Sequence, residues 1–216
     1  LLHNISFTVK SGSTLGILGT TGSGKSTMML LLDRLYDIEP GKGRITIGGT
    51  DIKKIKTKHL RRNIGMVLQE PFLFSRTVFE NIGISDPSFT LDYIRRAAKA
   101  AALDDSITSF PKAYDTLIGE RGVTLSGGQK QRTAIARTLT GNYPIMIFDD
   151  SLSAVDTQTD AKIRAALKKR FGQSSTILIS HRITTLSSAD KIIVLDHGRI
   201  AEKGTHDELK SAGGIY

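Results

Sequence analysis

A chain of 216 residues, 39% hydrophobic and 24% charged, is long enough for one substantial core and has an ordinary globular composition. It lacks cysteine, which excludes a disulfide framework and thiolate metal sites, and its longest apolar run, Met28 to Leu32, is far short of the roughly 20 residues a membrane helix needs. The net charge of +9 peaks at Lys53, Lys54, Lys56, Lys58, Arg61 and Arg62. Aromatics, at 6%, do not interleave with that cluster, so the reading is a solvated or membrane-facing surface and no nucleic acid.

In chain order, Leu1-Leu2-His3-Asn4-Ile5 reads as the middle of a strand whose beginning lies upstream. Leu15 to Leu18 is a short apolar strand ending in a glycine-rich turn, followed by an apolar helix over Ser26 to Leu35. Arg44 to Ile47 and Asn63 to Leu68 read as further strands. From about Val78 to Thr140 the pattern turns helical, with helices at Leu91 to Ala101 and Gly127 to Leu139. Tyr143 to Phe148, Ser175 to Ile179 and Lys191 to Leu195 are short buried-type strands separated by helical segments. The expected fold is α/β, with a largely parallel sheet covered on both faces. A core of residues 1–74 and 141–216 would carry an inserted helical subdomain, residues 75–140. The end, Gly213-Gly214-Ile215-Tyr216, reads as a domain boundary.

Gly19-Thr20-Thr21-Gly22-Ser23-Gly24-Lys25-Ser26, followed by Thr27, matches G-x-x-x-x-G-K-[ST] at every fixed position. The glycines let the backbone curl so that amides point at phosphate oxygens, and the following helix adds its positive end. Lys25 would reach the β- and γ-phosphates, and the Ser26 hydroxyl would ligate Mg²⁺. A phosphate site of this kind needs a carboxylate near the metal. Asp149, ending the apolar run Ile145-Met146-Ile147-Phe148, supplies one at the strand end where α/β folds bind ligands.

Leu125-Ser126-Gly127-Gly128-Gln129 has the chemistry of a helix N-terminus: Ser126 caps, and two glycines leave amides open to an anion. Beside the phosphate loop it resembles the LSGGQ signature of ATP-binding cassette (ABC) ATPases, and the resemblance runs along nearly the whole chain. Asp149 then resembles the Walker B aspartate. Gln69 resembles the Q-loop glutamine that senses Mg²⁺ and attacking water, and Glu120 the X-loop of exporter-type cassettes, near the coupling helices of the membrane domain. Ser153-Ala154-Val155-Asp156 resembles the D-loop that crosses to a partner subunit, and His181 the switch histidine that contacts the γ-phosphate.

The resemblance implies a P-loop NTPase core with a small antiparallel β portion and a helical subdomain, the whole chain being one nucleotide-binding domain. It implies Mg²⁺ with ATP, a metal set of Ser26, Gln69 and Asp149, and catalytic roles for Asp150, His181 and Gln69. It also implies a second nucleotide-binding domain as head-to-tail partner, transmembrane domains to drive, and a place at the cytoplasmic face of the membrane.

Two departures stand out. Where the family places a glutamate after the Walker B aspartate this chain has Asp150, one methylene shorter. That pattern, beside an intact signature, resembles the weakly hydrolytic half of a heterodimeric exporter, with a slow homodimer as the competing expectation. Exporter-type cassettes also stack adenine on an aromatic before the phosphate loop. Here only His3 and Phe7 lie nearby, out of place, so that aromatic is expected upstream. The alternatives are a soluble ABC ATPase of DNA repair or translation, disfavoured because neither large insertions nor a tandem cassette is present, and a non-hydrolysing regulatory module.

Overall fold

Apolar residues on consecutive strand positions force both faces of a sheet to be covered, and the elements follow accordingly. The computed structural model describes residues 2–119, 124–151, 155–171 and 174–216, with backbone alone at 157, 168, 170 and 171. In chain order these contain β1 (Thr14–Gly19), α1 (Lys25–Leu32), β2 (Thr46–Ile47), β3 (Thr50–Asp51), α2 (Thr57–Arg62) and β4 (Ile64–Val67). The helical stretch brings α3 (Val78–Ile82), α4 (Leu91–Ala100), α5 (Asp104–Thr108) and α6 (Gly127–Thr140). Then come β5 (Ile145–Asp149), α7 (Thr157–Phe171), β6 (Ser175–Ile179), α8 (Ile183–Leu186), β7 (Lys191–Asp196), β8 (Arg199–Gly204) and α9 (His206–Ala212).

The main sheet runs β4-β5-β6-β1-β7-β8. β1 pairs in parallel with β6 (Leu15 opposite Ile177) and with β7 (Ile17 opposite Ile193), β5 pairs in parallel with β6, and β8 closes the edge antiparallel to β7. The chain divides into two compact units. The first comprises Leu1–Gly65, Tyr143–Asp149 and Gln173–Tyr216, and the second Met66–Asn142 and Asp150–Gly172.

The first unit is built on the sheet. Ile17, Ile147, Phe148, Leu178, Ile192 and Ile193 are all buried, the two-sided burial expected of parallel strands. Gly16 admits α8 closely: a Cβ there would lie 3.2–3.4 Å from Ile192, Ala189 and Leu186. The second unit is helical. α4 turns Ile94, Ala97 and Ala98 inward and leaves Arg95 and Arg96 outside. Buried Asp104 accepts from Arg95 Nε (3.1 Å) and from Tyr114 Oη (2.7 Å). Burial, reinforced by that carboxylate, pushes the Tyr114 phenol far above its ordinary range.

Three expectations need correction, and one strand is added. Residues 2–5 form no strand; His3 N–H donates to the Gly198 carbonyl (2.8 Å), and the apolar alternation continues to Phe7, which is 39% exposed, so it marks no buried sheet face. The helix expected to reach Leu35 ends at Leu32. Asp33 caps it, Arg34 turns left-handed (φ 51°), and the Leu35 and Tyr36 amides fold back onto the Leu30 carbonyl. The strand expected from Arg44 shrinks to Thr46–Ile47, half of a hairpin with Thr50–Asp51 whose turn, Gly48-Gly49, has positive φ at both residues. β8, absent from the sequence reading, has an intermediate–exposed alternation with no apolar run.

Candidate functional site

In the first unit, β1 ends at Gly19, where a Cβ would lie 2.6 Å from both the Leu195 carbonyl and Ser23 Oγ; only glycine fits. Gly22 (φ 81°) and Gly24 (φ 103°) turn the loop through the left-handed region. Gly24 is then the N-cap of α1, with no side-chain cap and no acid in the first turn. A helix start without a side-chain cap or an acid suits an anion. Lys25 is 8% exposed, and its Nζ donates to the Gly19 and Thr20 carbonyls at 2.7 Å each, so the loop holds its own lysine. Ser23 is buried, and its Oγ has no hydrogen-bond partner among the described residues. A buried hydroxyl without a partner inside an amide-lined loop suits a phosphate oxygen.

Ser26 Oγ donates to Asp149 Oδ2 at 3.3 Å, joining α1 to the end of β5. Two hard oxygen donors at one point fit Mg²⁺. Among the described residues no group of three His, Asp or Glu could hold a metal unaided, so an ion here would complete its shell with phosphate and water oxygens. His181 follows β6, exposed, beside buried Ser180, whose Oγ accepts from the Arg182 amide (3.0 Å).

In the second unit, Ser126 caps the fourteen-residue α6 through a full capping box. Its Oγ accepts from Gln129 N (3.3 Å), and Gln129 Oε1 accepts from Ser126 N (2.9 Å). Leu125 is buried, while Ser126 and Gly127 are exposed, and a Cβ on Gly127 would meet nothing. Gln129 is thus a structural half of the signature, which the S-x-x-Q spacing shows in the sequence.

Asp150 is 9% exposed, with left-handed backbone (φ 43°). Aspartate is among the few non-glycine residues that adopt this conformation readily. Asp156 Oδ1 accepts from Thr159 N (2.9 Å) at the start of α7, and the Thr159 hydrogen bonds hold its carboxyl below the usual range. Val155 is buried. Glu120, Ser153 and Ala154 lie outside the described residues.

Gln69 is exposed, and its carbonyl accepts from Nε2 of buried Gln131 (3.0 Å). Arg137, also on α6, donates from Nη1 to the Phe72 carbonyl (2.9 Å) and from Nε and Nη2 to the carbonyl and Oδ1 of Asn81 (2.8 and 3.1 Å). Sequence reasoning missed Gln131, Arg137 and Asn81; no motif announces an amide or guanidinium whose partners are mostly main-chain atoms.

The family model of the ABC transporter matches residues 2–153. The putative multidrug export ATP-binding/permease protein YgaD of Bacillus subtilis is 47% identical over 209 residues, covering 97% of this chain and 36% of its own length. The β-(1→2)glucan export ATP-binding/permease protein NdvA of Rhizobium johnstonii is 44% identical, covering 100% and 36%. Among solved structures, a bacterial Atm1-family ABC exporter with ATP bound superposes with a TM-score of 0.94 at 45% identity, covering 100% of this chain and 38% of that one. The chain thus spans about a third of the length of the curated relatives it matches.

Proposed function

This chain belongs to the ABC transporter family, and from that premise we propose that it binds MgATP and hydrolyses it as the nucleotide-binding domain of an exporter. The observation that carries the reading is the Gly19–Ser26 loop, with a self-held Lys25, an uncapped α1 and Ser26 joined to Asp149. The loop and α1 amides would bind the β- and γ-phosphates, with Thr20, Thr21 and Thr27 completing the cradle. Lys25 would turn from the loop carbonyls to phosphate oxygens. Ser26 and Asp149 would hold Mg²⁺, with Gln69 reaching its shell; bound there, the ion neutralises charge developing on the γ-phosphate. His181 would contact the γ-phosphate, and Asp150 would orient the attacking water and take its proton as the β–γ bridging bond breaks, giving ADP and phosphate.

The nucleotide would be sandwiched against the signature segment, Leu125 to Gln129, of a second domain in a head-to-tail dimer, with Val155 and Asp156 in the crossing loop. Membrane-spanning domains carrying the Glu120 contact would set the chain at the cytoplasmic face. Residues 75–140 are read as the helical subdomain, and 1–74 with 141–216 as the core. The similarity of the relatives to exporters supports transport over DNA repair or translation.

Within this reading, Asp150 makes the chain's own site the slower of two. Its carboxylate is withdrawn by about 1 Å relative to glutamate, and a displacement of that size costs about a hundredfold in rate. Measuring ATP binding and turnover in the chain and in Asp150→Glu tests it. ATP binding in both, slow turnover in the parent and a strong gain in the variant are expected. Fast turnover that glutamate does not improve would make Asp150 an adequate carboxylate and a homodimer the better description.

A further inference from the structure

None of residues 68–77 is buried, and Phe72 is 70% exposed. Burial therefore does not fix this segment, and its conformation rests on polar ties. Gln131 Nε2 holds the Gln69 carbonyl and Arg137 Nη1 the Phe72 carbonyl. The fully buried Asn81 accepts from the Phe74 amide (2.9 Å) and donates to the Phe74 and Thr77 carbonyls (2.9 and 3.0 Å). Arg137 in turn grips Asn81 at two oxygens and lies 5.8 Å over the Phe74 ring. Burial lowers the affinity of this guanidinium for its proton; its described donors go to carbonyl and amide oxygens. Only arginine offers a rigid fork able to meet three such acceptors at once.

Both donors stand on α6, the helix that Ser126 begins. We infer that Gln131 and Arg137 are positioning residues that latch the segment beginning at Gln69 onto the signature helix, so that the two nucleotide-facing segments are displaced together. A partner's ATP drawn to the N-terminus of α6 would then reset Gln69 at the chain's own site. The inference rests on the reading of Gln69 as the residue that meets metal and attacking water.

The test uses the full chain with Gln131→Met, which keeps length and removes the donor, and Arg137→Lys, which keeps charge and loses the fork. Hydrogen exchange of the amides of residues 70–76 without nucleotide is expected to quicken about tenfold in each, the loss of one hydrogen bond. The single-turnover rate at saturating ATP and Mg²⁺ is expected to fall about tenfold, with ATP affinity within about twofold of the parent. A change in local exchange and rate without a change in affinity or melting temperature is not produced by general loosening. Unchanged exchange in both variants, or quickened exchange with an unchanged rate, overturns the inference. Gln69→Ala separates the two failures. Unaltered turnover there removes the role given to Gln69 and the inference with it; lost turnover there, with normal rates in the latch variants, overturns the inference alone.

Discussion

Ser26 Oγ lies 3.3 Å from Asp149 Oδ2 across 123 residues of sequence, so the end of one strand and the start of one helix bring two oxygens together, the pair proposed to hold Mg²⁺. Replacing Ser26 with Ala, or Asp149 with Asn, is expected to leave metal-free ATP binding nearly intact. The gain in affinity that Mg²⁺ brings would shrink at least about tenfold. Calorimetric titration with and without MgCl₂ measures this; an equal loss in both conditions would contradict it.

Lys25 is held by the Gly19 and Thr20 carbonyls. Lys25→Ala removes the charged donor proposed to reach phosphate and leaves two carbonyls short of a partner. ATP affinity should fall by about 2–3 kcal/mol, while far-ultraviolet circular dichroism stays unchanged. Fluorescence titration with a labelled nucleotide checks it.

The turn between β1 and α1 was legible because glycines mark it at fixed spacings, and β1 starts one residue before the expected position and ends one after it. The start of α6 was legible from its S-x-x-Q capping box. The end of α1 was not: Leu35 and Tyr36 extend the apolar pattern yet are 54% and 64% exposed, and no glycine or proline marks the left-handed Arg34. β8 was hidden because an edge strand needs no apolar run. Its available signal was the turn His197-Gly198, with positive φ at both residues, between two strands. Gln131 and Arg137 were illegible because their partners are mostly main-chain atoms, which every residue type provides.

α4 ends in a Schellman turn: Leu103 N–H donates to the Ala98 carbonyl (2.8 Å) and Ala102 N–H to Lys99 (3.0 Å), with Ala102 at φ 51°. A left-handed alanine costs about 1–2 kcal/mol. Ala102→Gly should therefore stabilise the chain and raise the melting temperature by about 2–4 °C. An unchanged or lowered value in a thermal scan would refute it.

Glu80 closes the capping box of α3, and hydrogen bonds from Thr77 hold its carboxyl below the ordinary value of 4.5. A depressed carboxylate contributes stability that is complete above its unfolded value and lost as pH falls through the lower folded one. Melting temperature should hold down to about pH 4.5 and then drop. Asp86 and Asp156, also depressed, titrate in the same direction, whereas Asp33, raised by desolvation, opposes them. Glu80→Gln keeps the capping geometry without the titration, so its melting temperature should depend less on pH below that point.

β1 takes its place between β6 and β7, whose residues lie more than 160 positions later. During synthesis the strand that carries the Gly19–Ser26 loop emerges before both and lacks these neighbours for roughly 8–30 s at cellular elongation rates. The helical segments around α3, α4 and α6 close on sequence-near partners during that interval. An exposed Leu15–Leu18 strand awaiting its sheet is then the stretch a ribosome-associated chaperone would shield, and a nascent chain arrested before β6 would hold its phosphate loop without a site.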